Sequence, residues 1–482
     1  MPSLHLITAE DPLTLQARSR ELIRFPQLTM PLLAGLTPGE WTVTHDDEIV
    51  KKVDTNRRYD LVGITAATPG APHAYDLARD FRNQGVPVAM GGPHATLMPY
   101  EVAQNADIVV VGEAEPLWAH ILRDDQSRSP GLHPFHSGTV EVTPERTRIY
   151  RHAAPASLDG VAHARRDLIQ HGGWNRWWAT KGAMIATRGC PHKCDYCTIP
   201  HLYPKAQQMR LRPVSEVIAE IRGFRDKGVV FWDDNLAAVP AYAKELCRQL
   251  KPLKRWWTSQ TTMNSLRDVE FLELAAASGC KALFVGLESI DQQSLNAAQK
   301  GHNRVADYRQ LLERCHNLGI AIQAGIIFGF ENDDLDIFQR TVDTFGDIGL
   351  DNATISLLVP YPGTPAYAML EQQDRIIDRN WRHYNGKTHV VFRPRLMSPD
   401  QLLNGYEWAK TQFYSLSHIA RRLNKSRTGL WWNIPRNLGY HLGLRGEVLA
   451  RAALHQPDPN HQWHRLADGP EKSGQGQSKV PG

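Results

Sequence analysis

Twice along this chain, short β-branched runs alternate with helical stretches, and that alternation constrains the fold more than any other feature. A strand followed by an amphipathic helix buries its apolar residues best when the next strand lies parallel beside it and helices cover the sheet. The first set of runs is 4–9, 41–46, 60–66, 86–92 and 106–112, with a helical pattern at 74–85. It predicts an α/β domain over 1–130 built on an open parallel sheet, with ligands beyond the carboxyl ends of its strands. The second set is 183–189, 228–234, 256–262, 282–289, 320–330 and 352–360, separated by helical stretches. Six such units predict a partial (β/α)6, TIM-like barrel over 183–375, with chemistry at its carboxyl-end loops. Residues 131–182 lose the rhythm and read as a linker. Residues 376–455 read as a helical C-terminal extension, and 456–482, polar and rich in Gly, Ser and Pro, as a disordered tail.

Length and composition narrow the function classes. At 482 residues the chain exceeds one ordinary core. A net charge of +4 gives no support for a surface that binds nucleic acid. No apolar run reaches the length that spans a membrane, and the N-terminus lacks the layout of a secretory signal, so a cytoplasmic protein is expected. Of the six cysteines, Cys247, Cys280 and Cys315 sit singly in apolar contexts and read as core residues. The other three crowd into eight residues.

Those three, Cys190, Cys194 and Cys197, lie in Arg188-Gly-Cys-Pro-His-Lys-Cys-Asp-Tyr-Cys, just after the first barrel-like strand. A loop of this spacing can wrap its thiolates around one face of an iron–sulfur cluster, leaving one iron without a protein ligand. A zinc site completed by His192 or His201 is the bland alternative.

The Cys-x3-Cys-x2-Cys pattern with Tyr196 before the third cysteine resembles the radical S-adenosylmethionine (SAM) superfamily. That resemblance implies a 4Fe–4S cluster whose open iron chelates SAM, and reductive cleavage of SAM to a 5′-deoxyadenosyl radical. Tyr196, Asp234 and Asn235 (after the second barrel strand), Gln260, Glu288, Gly325 and Gly329 are then the expected SAM contacts. Trp232-Asp-Asp-Asn departs from the family's Gly-Gly-Glu-like segment, and the acid Glu331 lies one residue early in the fifth-strand segment.

The N-terminal domain resembles the Rossmann-like cobalamin-binding domain found ahead of some radical SAM barrels. The matching pieces are Asp60–Thr65, Ala74-Tyr75, Gly91–Thr96, Pro99–Glu101 and Gly112–Glu115. The resemblance implies cobalamin held by Thr65, Gly91, Gly92, His94, Thr96, Gly112 and Glu113. The glycines would let backbone approach a flat corrin, and His94 and Thr96 would hydrogen-bond its amide arms. Asp-x-His-x-x-Gly is absent, so a lower cobalt ligand from that motif is excluded. The region from Asn380 to about Ser415 resembles the extension of hopanoid methylases. Beyond it, Arg421, Arg422, Lys425, Arg427, Arg436 and Arg445 accompany Leu430, Trp431, Trp432 and Tyr440. Peripheral contact with the inner face of a membrane is one reading of that basic, aromatic stretch, and a cap on the chain's own domain is the other.

The function expected is cobalamin-dependent methylation of an unactivated carbon of a small molecule or lipid, with flavodoxin or ferredoxin as electron donor. Alternatives are ring closure, rearrangement or carbon–carbon coupling with the same cofactors, or a non-catalytic corrinoid- or metal-binding protein.

Overall fold

The computed structural model describes residues 1–12, 26–127, 138–170, 181–202 and 208–454. The expected disordered tail lies outside these residues.

The N-terminal domain is a seven-stranded sheet in the order β2-β1-β3-β4-β5-β7-β6. Its strands are β1 (Ser3–Thr8), β2 (Thr42–Asp47), β3 (Leu61–Thr65), β4 (Val88–Gly91), β5 (Ile108–Val111), β6 (Gly138–Val142) and β7 (Arg148–His152). All run parallel except β6, which returns antiparallel on β7. Successive residues point to opposite faces. Ile7, Val62, Ile64, Val88, Met90 and Val109 therefore build one core with helix Ala71–Asn83. Leu4, Leu6, Leu61, Ala89, Ile108 and Val110 build the other with Trp118 and Ile121. Both faces are covered, as the unbroken apolar runs require. The order reverses between β1 and β3, which puts the crevice beyond their carboxyl ends.

The hairpin β6–β7 falls in the stretch expected to be a linker. It extends the N-terminal sheet, so the connection to the barrel is shorter than predicted. β6 is largely exposed, and β7 has only Ile149 and Tyr150 as apolar residues, both buried, which is why the pair lacks the apolar signature of β1–β5.

The barrel sheet contains β8 (Ala183–Met184), β11 (Gly228–Phe231), β12 (Trp256–Thr261), β13 (Cys280–Glu288), β14 (Ala321–Phe328) and β15 (Asn352–Leu357). They are parallel and in sequence order from β8 to β15. Helices pack on the outer face in one continuous core that includes Cys247, Cys280 and Cys315, as expected of those isolated cysteines. The predicted strand 183–189 is interrupted after Met184. The buried Asp233 carboxylate accepts the N–H groups of Ala186 and Thr187, removing them from the ladder. Residues Thr187–Arg188 instead form β9, antiparallel to β10 (Arg210–Leu211).

Helices Pro399–Phe413, Leu416–Ser426 and Leu430–Leu454 make the C-terminal region. The first starts with a capping box in which Ser398 and Gln401 satisfy each other's backbone. It packs beside helix Ile337–Asp347 of the barrel. Among the described residues, no helix is long and apolar enough to cross a membrane.

Candidate active site at the barrel mouth

The cysteine loop is closed at its neck by β9 and β10, whose register sets Arg188 directly opposite Arg210. Like charges facing each other across strands repel. Glu113, from the N-terminal domain, resolves this: Oε1 accepts from Arg188 and Oε2 from Arg210, each at 2.7 Å. Ala156 N–H adds a bond at 2.9 Å and Glu115 a second partner for Arg188. Burial alone would raise the Glu113 pKa, but Arg210 and Arg188 hold it below the ordinary carboxylate value. The loop expected to touch cobalamin thus grips the cysteine loop through both oxygens of Glu113. Pairing partners across domains leave no signal in a single sequence.

Within the loop, Cys194 is buried and Cys190 and Cys197 are half-buried. Burial raises all three thiol pKa values, that of Cys197 to about 12. Backbone N–H groups of His192 and Ile199 point at the sulfurs of Cys190 and Cys197. Asn235 Nδ2 lies 3.8 Å from Cys190 Sγ. Partly buried thiols with donors directed at two of them suit a metal–sulfur cluster, because coordination deprotonates each sulfur and the donors then meet thiolate. Asp234 accepts from Gly189 N–H at 3.0 Å, so the segment after β11 holds the start of the loop.

Across the mouth, Glu288 ends β13 at φ +67, a left-handed geometry unusual without glycine. Its carboxylate folds back over the sheet and meets Lys300 Nζ at 3.0 Å. Gly286 and Gly325 sit side by side in register and clear the space. A Cβ on Gly286 would stand 2.2 Å from Glu288 Oε1, and one on Gly325 3.4 Å from Oε2. Asn303 Nδ2 donates to the carbonyls of Gly286 and Leu287, at 2.8 and 3.1 Å, and fixes this strand end. Burial would lower the Lys300 pKa, yet Glu288 and the neighbouring cysteines keep it raised. Lys300 is the residue of this site that sequence reasoning missed, since a lysine just after a helix ordinarily reads as solvated. Tyr196 packs edge-on against Phe330, centroids 5.6 Å apart, with its hydroxyl buried near Glu288 and Cys194. Gln260 is half-buried on the neighbouring strand β12.

Gly329 does not open onto this bowl. Its φ of +112 makes the turn after β14, and an added Cβ would meet Leu402 at 2.9 Å and Phe392 at 3.2 Å. It serves the C-terminal packing, and Glu331 likewise pairs outward with Arg375 at 2.8 Å.

The carboxyl edge of the N-terminal sheet faces the barrel. An added Cβ on Gly363 of the sixth barrel loop would lie 3.2 Å from Leu97, and half-buried Tyr361 is near Glu10 beyond β1. Thr65, Gly91, Gly92 and Gly112 occupy the ends of adjacent strands β3, β4 and β5. Gly92 has φ +92, and a Cβ there would come 2.3 Å from Thr65 Oγ1, so its first duty is to close this edge. His94 and Thr96, expected to reach corrin amides, bond within the protein in this structure. His94 is buried between Tyr75 Oη at 2.9 Å and Thr68 Oγ1 at 3.4 Å, and Thr96 Oγ1 donates to Gly92 O and accepts from Gly112 N–H, both at 2.9 Å. Glu101 joins that network and accepts from Trp381 Nε1 of the C-terminal region at 2.9 Å. Beside these bonded polar groups the edge presents backbone and small side chains, which fits a broad, flat ligand.

Comparison with known proteins agrees with this layout. Residues 184–345 match the family described as the Radical SAM superfamily, and residues 39–122 match the B12 binding domain. Together the two matches mark the class of protein in which a radical SAM domain follows a B12-binding domain. That class brings a 4Fe–4S cluster, SAM and cobalamin, and the zinc alternative falls with it. Bacteriochlorophyllide d C-12(1)-methyltransferase of Chlorobaculum tepidum is 28% identical, over 89% of this chain and 94% of that protein. Hopanoid C-2 methylase of Rhodopseudomonas palustris is 24% identical, over 88% and 81%. The solved structure of the radical SAM methyltransferase TsrM from Kitasatospora setae, with cobalamin and a [4Fe-4S] cluster bound, shares the fold. It superposes with TM-score 0.64 at 16% identity, covering 94% of this chain and all of that one.

Proposed function

We propose that this chain is a cobalamin-dependent radical SAM C-methyltransferase acting in the cytoplasm on a small molecule or lipid with a bulky apolar framework. The observation that carries the reading is convergence: Asn235, Asp234, Lys300 and the paired Arg188 and Arg210 all act on one three-cysteine loop, at a barrel mouth facing the carboxyl edge of a cobalamin-type domain. Cys190, Cys194 and Cys197 are the cluster ligands. Lys300 offsets the charge of the thiolates, and Glu288, folded over Gly286 and Gly325, offers its carboxylate to an amine or hydroxyl of SAM. Tyr196, Gln260 and Asn235 complete the bowl. Thr65, Gly91, Gly92 and Gly112 line the cobalamin side. When bound, the cofactors supply a carbon radical that removes a substrate hydrogen atom and a methyl group that takes its place. The protein's share is to hold those groups in line and keep water out.

Two relatives that match most of the chain are named for a bacteriochlorophyllide and for hopanoids, and this supports a polycyclic or tetrapyrrole-like substrate. Such substrates partition into membranes, so peripheral membrane contact belongs to the same reading. The electron comes from a reduced flavodoxin or ferredoxin. Turnover with SAM labelled in its methyl group tests the chemistry. Label in the product, accompanied by 5′-deoxyadenosine, is expected; 5′-deoxyadenosine with an unlabelled product would assign the chain to ring closure or rearrangement instead.

A further inference from the structure

Helix Leu430–Leu454 is built inside out. Asn433, Arg436, Asn437 and Tyr440 recur at helical spacing on the face turned into the protein. Asn437 is 0% exposed and Asn433 1%. Asn433 Nδ2 donates to Asp351 Oδ1 at 3.1 Å, and Asn437 Nδ2 to Asp351 O at 2.9 Å. Asn437 Oδ1 accepts from Arg422, itself fully buried, at 2.9 Å. Arg436 donates to Gln323 on β14, and the Tyr440 ring stacks on Tyr414 with centroids 4.9 Å apart. The opposite face carries Trp431, Ile434, Leu438 and Leu442 at the same spacing, and these are 62%, 44%, 37% and 51% exposed.

A surface helix in water turns its apolar stripe inward. Here several inward positions, beside Trp432 and Leu444, are spent on hydrogen bonds, and a second apolar stripe is left exposed for another phase. Contiguous exposed apolar surface of this kind marks a contact site. Charge selects the occupant. At the amino end of the stripe, exposed Lys281 and Arg427 share an open cavity of about 370 Å³ with Trp431, and no carboxylate lines it. Cations beside tryptophan and leucine fit the headgroup layer of an anionic bilayer. The following stretch 455–482 contains few apolar residues, which makes it a poor cover for the stripe.

We propose that the outward face of helix Leu430–Leu454 docks the protein on an anionic membrane surface, with Trp431, Ile434, Leu438 and Leu442 entering the interface and Lys281 and Arg427 meeting lipid phosphates. This surface gives the membrane contact proposed above its place and rests on that reading, yet its failure can be told from failure of the radical chemistry. Loss of vesicle binding with intact 5′-deoxyadenosine formation refutes the surface alone, and the converse refutes the chemistry alone.

The test is sedimentation of the full chain with phosphatidylcholine vesicles, with and without phosphatidylglycerol, alongside the double variant Trp431→Glu/Leu438→Glu. Both positions are exposed, so the variant is expected to melt as the wild type does. Wild type is expected to sediment with the anionic vesicles, less with neutral ones and less at high salt, and the variant to bind about tenfold more weakly or worse. Equal sedimentation of the two proteins overturns the proposal, as does absence of wild-type binding. A dimer on sizing that the variant abolishes, without vesicle binding, assigns the face to a second copy and also overturns it. So does binding that appears only after residues 455–482 are removed.

Discussion

At position 286 one added carbon would stand 2.2 Å from Glu288 Oε1 and 3.1 Å from Lys300 Nζ. Gly286→Ala must therefore push the Glu288–Lys300 pair out of the bowl, at a cost of about 1–3 kcal/mol for overpacking. The expected result is a loss of SAM cleavage of about tenfold or more with iron content retained. Gly325→Ala, whose carbon would sit 3.4 Å from Oε2, is expected to lose less; rates of 5′-deoxyadenosine formation and iron analysis on both variants check the ranking. Asp233 makes a second residue-scale prediction. Burial raises its pKa from 3.8 to about 7, so between those values the folded chain keeps a proton that the unfolded chain has released. The stability it contributes is full below about pH 4 and is lost as pH rises through about 7. Asp233→Asn removes this dependence, so the melting temperature of the variant relative to wild type should rise from about pH 5 to about pH 8. A difference that stays constant across that range contradicts the assignment. At this scale the cysteines were legible because three thiols in eight residues have few other uses. His94, Thr96 and Lys300 were not, because their partners come from distant segments.

Among the elements, the β9–β10 neck depends on a carboxylate from another domain. Glu113→Gln leaves Arg188 and Arg210 facing each other in a mostly buried site, and breaking such a pair costs about 3–5 kcal/mol. Chemical denaturation is expected to show that loss. A double-mutant cycle between Glu113→Gln and Arg210→Met should show strong coupling, since removing one arginine relieves the repulsion that the missing carboxylate unmasks. Additive effects would mean that the two domains meet without this contact. The strands with β-branched runs were readable from sequence, β1–β5 and β11–β15 in particular. The hairpin β6–β7 was hidden by the exposure of β6 and the two lone apolar residues of β7, and the break between β8 and β9 by the Asp233 carboxylate, which no local pattern announces.

Over the whole molecule, a cobalamin-type sheet and a radical SAM barrel face each other edge to mouth, and the C-terminal region ties both together through Trp381–Glu101 and Arg422. Arg422 donates to Leu350 O at 2.7 Å, Asp351 O at 3.0 Å and Phe413 O at 3.0 Å. Arg422→Met strands those buried carbonyls and the Asn437 amide. It should cost about 3–5 kcal/mol and expose the chain near Arg427 to protease; an unchanged digestion pattern would show that the last helix is held by other means. The domain order and the two sheets follow from strand–helix rhythm. The inward polar face of the last helix does not, because its partners Asp351 and Gln323 lie far back in the chain. All of this rests on three thiolates presenting one open iron to SAM. The most direct measurement is iron, sulfide and 5′-deoxyadenosine in anaerobically reconstituted wild type beside Cys190→Ala, Cys194→Ala and Cys197→Ala. Wild type should hold about four irons per chain and cleave SAM on reduction, and each variant should lose cluster and cleavage together. A variant that still cleaves SAM at the wild-type rate would contradict the account.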